Sequence, residues 1–448
     1  MKPRIYLSHI SIASWNVQGL RGVSFNKLSD QQFLHDINQH HIIGLVETHC
    51  TSDMSIVVPG YYAYQACRSK TKNKPHGGIA VLVRNELRSG VKFYASSTAD
   101  MVWVCLKKDF FGTMQDVYVG TIYLSPNNST YNKKLGYSPF DMIEHEVAKM
   151  SNKGQVVLMG DFNARTGVCK EFITPVNSTL IPEANCISYD DECVLRVSQD
   201  CVSCCSYGNK LIDLCIASGL KIANGRVFGD PTGKFTCHKY NGSSVVDYVL
   251  ASSTTLSQMR FFKVHDFRGD LSDHCLISFG LAVSVVFQVP CKKSNSRRMP
   301  RRYVWHEGAD LEFRKELEAL HNKEILEELP TANIDSSIGT INKLLCDVAS
   351  RCLKRTGGKR CIKKKRWFNS SCSSMKQEVK SLSLKLSKTP NDVNMRHAFF
   401  QAKKRYKKQL KLARAQYKQG VAQELENAAL NNPKLYWKLL QDLKKVDE

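Results

Sequence analysis

The sequence predicts a layered α/β sandwich over about residues 1–285, then a basic linker over 286–310 and a mostly helical, basic region over 311–448. Three observations lead there. Short apolar runs bounded by Gly, Asn, Pro or Asp recur up to about position 285. Helical stretches fall between some of them. Charge is uneven: 36 Lys and Arg against 17 Asp and Glu follow position 290, a net +19 of the chain's +23. A near-neutral globular part therefore precedes a strongly basic one.

The apolar runs are Ile12–Val17, Ile42–Glu47, Gly78–Val83, Val102–Leu106, Val117–Leu124, Val156–Gly160, Val245–Ala251 and Cys275–Leu281. Most are rich in Val and Ile, and their length suits strands. Helical periodicity appears near Leu28–His40, Asp141–Lys153 and Asn209–Ser218. Between Gly167 and Ser206 few residues are periodic, so that segment reads as an irregular surface insertion. It holds Cys169, Cys186, Cys193, Cys201, Cys204 and Cys205. Cys201 and Cys204 have the gap of a zinc knuckle, but no second matching pair follows, and an irregular loop is the better reading.

The linker carries Arg297, Arg298, Arg301 and Arg302 with Pro290 and Pro300. Leu311–Leu329 reads as helical and acidic, and Arg351–Arg366 as a basic run before Trp367. A long helix is expected from Ala398 to Leu425. Ala402, Tyr406, Leu410, Ala413, Tyr417 and Val421 step by three or four and make one apolar stripe. Lys403, Lys404, Arg405, Lys407, Lys408, Lys411, Arg414 and Lys418 cover much of the rest. A packed helix with a solvated basic face explains this spacing, and a nucleic-acid-binding helix is equally compatible with it. Basic chains bind phosphate-rich partners by releasing counterions.

Composition narrows the setting. No run of 18 apolar residues occurs, so no membrane span is expected. Met1–Ile10 lacks the apolar core of a secretory signal. The 17 scattered cysteines, an odd number, read as reduced intracellular thiols. A nuclear or cytoplasmic protein is expected, with the run Lys359–Arg366 compatible with nuclear entry. No obligate protein partner is evident.

Several strand ends finish in polar residues that apolar packing does not require. Asn16 follows Ser14-Trp15, and Glu47 ends Ile42–Val46. Asp161 and Asn163 lie in Gly160-Asp161-Phe162-Asn163-Ala164-Arg165, Asp247 in Val245-Val246-Asp247-Tyr248, and Ser272-Asp273-His274 precedes a strand. Each alone is an ordinary turn or cap residue. Together their chemistry is coherent. Glu47, Asp273 and Asn16 offer hard oxygen ligands suited to Mg²⁺, with Mn²⁺ as a substitute. Asp161 can hold or deprotonate a water, and Asn163 can donate to a phosphate oxygen. His274 can carry a proton or a charge if Asp247 orients its other ring nitrogen. Tyr123, in Gly120-Thr121-Ile122-Tyr123-Leu124-Ser125-Pro126, can donate a phenolic hydrogen bond. Phosphodiester cleavage needs such a set.

Glu47-Thr48, Gly77-Gly78, Gly160-Asp161-Phe162-Asn163, Val246-Asp247-Tyr248 and Ser272-Asp273-His274 stand in an order that resembles the endonuclease/exonuclease/phosphatase superfamily over about residues 10–282. Asn163-Ala164-Arg165-Thr166-Gly167, and Phe235-Thr236 ahead of Asp247, are most similar to the endonuclease domain of non-LTR (LINE-type) retrotransposons. The resemblance implies a four-layer α/β sandwich with two packed mixed sheets. It implies that Glu47 binds the metal with Asn16 and Asp273 in support, and that Asp161 and Asn163 handle nucleophile and phosphate. Tyr123 and Asn127 would contact the phosphate or leaving group, Asp247 would orient His274, and Arg165 and Thr236 would lie at the DNA. The resemblance leaves His274 and Asp161 as alternatives for the base. Cys237 stands where many retrotransposon relatives have Trp. In the tail, Arg366-Trp367-Phe368-Asn369, the helix around Tyr406 and Asn432-Pro433-Lys434-Leu435-Tyr436-Trp437 resemble the connector before the reverse transcriptase of such elements. The chain ends at Glu448 without a polymerase signature, as expected of a truncated or domesticated element product or of one exon of something longer.

The implied function is a Mg²⁺-dependent DNA-nicking endonuclease that leaves a 3′-hydroxyl, with DNA as partner and element RNA as a second partner for the basic tail. Abasic-site repair and a catalytically silent nucleic-acid-binding relic are the alternatives. A phosphatase for inositol phosphates is disfavoured, because Asn241-Gly242-Ser243-Ser244 lacks that group's Pro-Trp-Cys-Asp-Arg-like string.

Overall fold

A computed structural model of the chain describes residues 4–22, 25–68, 76–172, 194–288, 302–306, 308–327, 334–356 and 366–447. Cys186, Cys193, Pro290, Arg297, Arg298, Pro300, Arg301 and residues 359–365 of the basic run lie outside them. The chain divides into two compact units: Arg4–Phe287 together with Lys364–Glu448, and Gln288–Lys363 together with Met1–Pro3.

The larger unit is built on two six-stranded sheets. In chain order the strands are β1 (Arg4–Asn16), β2 (Ile42–Val46), β3 (Tyr61–Ala66), β4 (Ile79–Arg84), β5 (Val91–Ala95) and β6 (Met101–Leu106). They continue with β7 (Val117–Tyr123), β8 (Gln155–Asp161), β9 (Leu220–Ile222), β10 (Asp247–Ser252), β11 (Met259–Val264) and β12 (Ile277–Gln288). One sheet runs β11-β12-β1-β2-β4-β3 and the other β9-β10-β8-β7-β6-β5. Both are mixed. β1 pairs parallel with β2 and β8 parallel with β7, while β10 runs antiparallel to β8.

Alternation along the strands decides which sheet face meets which layer. Ile10, Ile12, Ile42, Val46, Val81 and Val83 of the first sheet meet Val102, Val104, Val117, Val119, Val157 and Met159 of the second in one fully buried core. The alternate residues Trp15, Leu45 and Leu82 turn outward onto Phe33 and Ile37 of helix α1 (Gln31–Ile37). On the other side Trp103, Leu158 and Leu250 pack against α2 (Pro139–Ser151) and α3 (Ser206–Ser218). The result is the four-layer sandwich. The chain starts α1 at Asp30, whose carboxylate accepts from the Gln32 and Phe33 amides. Cys205, in the cysteine-rich insertion, caps α3 through a Gly208 amide bond to its sulfur.

Beyond short one-turn helices, this unit also holds α4 (Ser370–Lys388), α5 (Val393–Asn431) and α6 (Pro433–Asp447). The expected stripe on α5 is buried at Ala402, Tyr406 and Ala413. Val379, Leu386, Phe399, Ala402 and Tyr406 join the same apolar core as Phe262 and Phe267 of the sandwich. Phe399 meets Phe267 edge-on, with ring centroids 5.4 Å apart. Lys376 pairs with Asp30, and Arg396 donates to the Lys239 carbonyl. So the part of the basic region from α4 onward is built onto the sandwich.

The smaller unit has a strand pair, Arg302–Val304 with Lys354–Thr356, and helices Ala309–Leu317, Leu320–Glu327 and Ile334–Cys352. Ala309, Ala349 and Leu353 form its buried centre. The single helix expected over Leu311–Leu329 is thus two short ones. Among the described residues, no helix is long and apolar enough to cross a membrane.

Candidate active site

Strand register assembles most of the site before any side chain is placed. In the second sheet Asp161 ends β8 beside Tyr123 on β7 and Asp247 on β10, so three functional side chains share one rung. Gly160 permits this geometry. Its φ is +145°, and an added Cβ would lie 1.9 Å from the Ile122 carbonyl oxygen, so no other residue fits there. In the first sheet Asn16 ends β1 beside Val46, and Glu47 follows at once.

Across the two sheets the amide of Asn16 donates to Asp161 Oδ2 at 2.8 Å. His274 lies between two carboxylates: Nδ1 is 2.9 Å from Asp247 Oδ2, and Nε2 is 3.9 Å from Asp161 Oδ2. All three are nearly inaccessible. Asn163 completes the group, its backbone amide donating to Asp161 Oδ1 and its side chain to the Leu124 carbonyl. Glu47, 227 positions before His274 in the chain, is hydrogen-bonded by Asn16 and feels the charge of His274, so it gathers with Asp161 and His274.

Electrostatics follow from this crowding. Burial raises the Asp161 carboxyl to about 7, with Asp247 adding to the rise against His274 and Asn16. Burial opposes a charge on His274, but Asp247, Cys237 and Asp161 outweigh it and hold the ring well above the ordinary imidazole value. For Glu47, burial is outweighed by hydrogen bonds from His49 and Asn16, and its carboxyl is held low. Burial, then the Glu47 and Asp161 carboxylates, push the Tyr123 phenol up, so it stays a donor. Asp273 accepts from Gln18 at 3.1 Å and from Lys403 of α5, which outweigh its burial and keep it ionised.

Backbone strain marks the same place. Among the described residues, the non-glycine positions with positive φ are Gln18, Glu47, His49 and Asn163. Such conformations persist only where surrounding structure enforces them, and here all four lie at one cleft.

A divalent cation fits this donor set. Asp161, Asp247 and His274 each offer a ligand atom, all within 4.8 Å of one another. His274 Nδ1 faces Asp247, and hard oxygens of the kind a divalent cation prefers are offered nearby by Asp161 and by Glu47, which is hydrogen-bonded to Asn16. A bound cation would offset the cost of ionising the buried Asp161 carboxyl.

Two expected contacts are used elsewhere. Thr236 is fully buried, and its Oγ1 accepts the Val246 and Asp247 amides at 3.1 Å each, so it secures the strand bearing Asp247 instead of meeting DNA. Arg165 sends Nε to Asp200 Oδ2 at 2.9 Å, which ties down the insertion. Asn127 is exposed on the turn after β7. Cys237 Sγ lies 3.5 Å from His274 Nε2, closer to the imidazole than a groove residue would be.

Sequence reasoning missed two cations. Lys27 is buried and donates to the Val17 carbonyl. Burial, with Lys403 and Lys407, lowers its ammonium to about 7 against the pull of Asp273 and Glu47. Arg68 pairs with Asp100, donates to Ser125 at 2.9 Å and stacks over Tyr131, and its guanidinium carbon lies 5.1 Å from the Tyr123 ring centre. Neither sits in a recognisable string, and only folding brings them there.

A family model described as the Endonuclease/Exonuclease/phosphatase family matches residues 13–274. No curated protein matches the chain. Among solved structures the chain is similar to the AP endonuclease LMAP from Leishmania major, at 14% identity over 61% of this chain and 88% of that one, with a TM-score of 0.45. It is similar to the 3′ phosphatase NExo from Neisseria bound to a product DNA hairpin, at 18% identity over 61% and 99%, with a TM-score of 0.39. The endonuclease domain of TRAS1, a telomere-specific non-LTR retrotransposon, is similar at 16% identity over 61% and 99%, with a TM-score of 0.38.

Proposed function

The chain belongs to the endonuclease/exonuclease/phosphatase family, and from that premise we propose that it is a divalent-metal-dependent phosphodiesterase that nicks DNA and leaves a 3′-hydroxyl. The observation that carries this reading is the buried row Asp247–His274–Asp161–Asn16 at the strand ends where the two sheets face each other. An inactive relic would have no need to keep four costly buried polar groups in register.

In this reading Asp161 holds the attacking water, oriented by the hydrogen bonds from Asn16 and Asn163, and takes its proton. Water oxygen bonds to phosphorus and the bond from phosphorus to O3′ breaks; the departing oxygen takes a proton from solvent, leaving a 3′-hydroxyl and a 5′-phosphate. His274, kept charged by Asp247, faces the developing negative charge on the phosphoryl oxygens. The Tyr123 hydroxyl donates to the phosphate or the departing oxygen. Glu47, Asp273 and Asn16 would hold Mg²⁺ or Mn²⁺, which supplies charge neutralisation when bound.

The test is incubation of the purified chain with supercoiled plasmid, abasic duplex and inositol polyphosphate, each with Mg²⁺ or EDTA. Expected is Mg²⁺-dependent plasmid nicking with 3′-ends that a polymerase can extend, lost in Glu47→Ala and His274→Ala. Preferential cutting of the abasic duplex would make the chain a repair nuclease, and binding without cutting would remove the enzyme reading.

A further inference from the structure

Helix α5 crosses the larger unit with two unlike faces. Phe399, Ala402, Tyr406 and Ala413 are buried against the rest of the unit. Phe400, Lys403, Lys404, Lys407, Lys408 and Lys411 occupy the other face, at spacings that a helix brings into line. Together with Asp273 these six residues line a cleft of about 530 Å³. Asp273 is the neighbour of His274 in the chain, and Lys27 feels the charges of Lys403, Lys407, Asp273 and Glu47, so the lysine row borders the candidate active site.

The charge in this cleft is unbalanced. Five ammonium groups meet one carboxylate, Asp273, which Lys403 engages. Elsewhere on α5 the chain does supply partners: Arg405 pairs with Glu378 at 2.7 Å. Among the described residues, no carboxylate ion-pairs with Lys404, Lys407, Lys408 or Lys411. Apolar packing and Arg396 hold the helix in place, so the repulsion of the row is not relieved by moving away. A fixed row of like charges beside a reaction centre is matched by a polyanion. From Lys403 to Lys411 the helix rises about 12 Å. A nucleic-acid strand carries one phosphate per about 3.4 Å of axis, so the row spans roughly three or four phosphates.

We propose that α5 forms one wall of the substrate groove, and that Lys404, Lys407, Lys408 and Lys411 bind the DNA phosphates flanking the one that is cut. The inference rests on the nuclease reading for the identity of the cut strand. The groove's affinity for duplex can be measured without cleavage.

The experiment uses the full chain and a short fluorescent DNA duplex in EDTA, with anisotropy read over a salt series. The triple variant Lys407→Ala/Lys408→Ala/Lys411→Ala changes only exposed side chains. If each binds one phosphate, the slope of log affinity against log salt should become shallower by about 0.9 per lysine, near 2.7 in all. The control Lys149→Ala/Lys153→Ala, exposed on the last turn of α2 and in the turn that follows it, should leave the slope as it is. Gly269→Val keeps every lysine but displaces the helix, because a Cβ at Gly269 would lie 2.3 Å from the Phe399 ring. Its slope should become shallower as well, which a loose basic tail would not show. A triple variant with the wild-type slope, or a Gly269→Val variant with the wild-type slope, would overturn the proposal, as would absence of duplex binding. Lysine-dependent binding without cleavage would retain the groove and defeat the nuclease reading. Cleavage with an unchanged slope would do the reverse.

Discussion

Replacing Asp247 by asparagine removes one negative charge at nearly constant volume, and the structure supports a size for the effect. Asp247 Oδ2 lies 2.9 Å from His274 Nδ1, and both side chains are almost wholly buried. The backbone at Asp247 is held independently by Thr236 Oγ1 and by Asn224, which donates to its carbonyl, so the strand should stay in register. Two unit charges about 4 Å apart interact by roughly 4 kcal/mol at an effective dielectric near 20. Losing that support for a charged ring corresponds to about a thousandfold, within the range of about 10²–10⁴ for positioned acid–base groups. Asp247 lies behind the ring and reaches no substrate, so the loss should fall on kcat and leave KM nearly unchanged. Steady-state nicking of a defined duplex with Mg²⁺, alongside thermal melting, measures both. A kcat within tenfold of wild type with a folded variant, or a loss carried by KM, would refute the role given to the Asp247–His274 pair.

Phe399→Ala should cost about 3–5 kcal/mol, because the ring is fully buried against Phe267, and denaturant melts followed by hydrogen exchange should show α4 and α5 loosening first. Gly160→Ala should abolish folding or activity outright, since its Cβ has no room beside Ile122; a soluble, active variant would contradict the register at Asp161. Burial, then His265, His41, Arg84 and Lys263, lowers His40 to about 3, and burial with Lys263 lowers His265 to about 4. The unfolded chain takes up these protons below about pH 6.5 and the native state does not, so this stability is complete above that pH and falls as pH drops toward 4. At pH 5 the loss from His40 alone is about 2 kcal/mol. A His40→Gln variant should therefore lose less melting temperature than wild type between pH 7.5 and 5, and an equal loss would show that His40 is not held neutral.

The sequence by itself determined the layers and named most of the residues that gather at the candidate site. Near-continuous apolar runs such as Ile42–Val46 and Val117–Tyr123 specify strands buried on both faces, and polar residues that bound such runs at Asn16, Glu47, Asp161 and Asp247 have to lie at strand ends. Those signals are local, written within a few residues. Tertiary structure decided which groups meet. Thr236 was legible as a polar residue before a strand, but only its burial shows that its hydroxyl serves two backbone amides. Arg165 was legible as a cation next to Asn163, but Asp200, 35 residues on, takes its guanidinium. Lys403, 130 positions beyond Asp273, reaches it because Phe399 and Tyr406 dock α5 on the sandwich. Periodicity states which face of a helix is apolar and does not state what covers it. The partner of a long charged side chain is set by a three-dimensional contest among carboxylates, desolvation and reach, which distance along the chain does not encode.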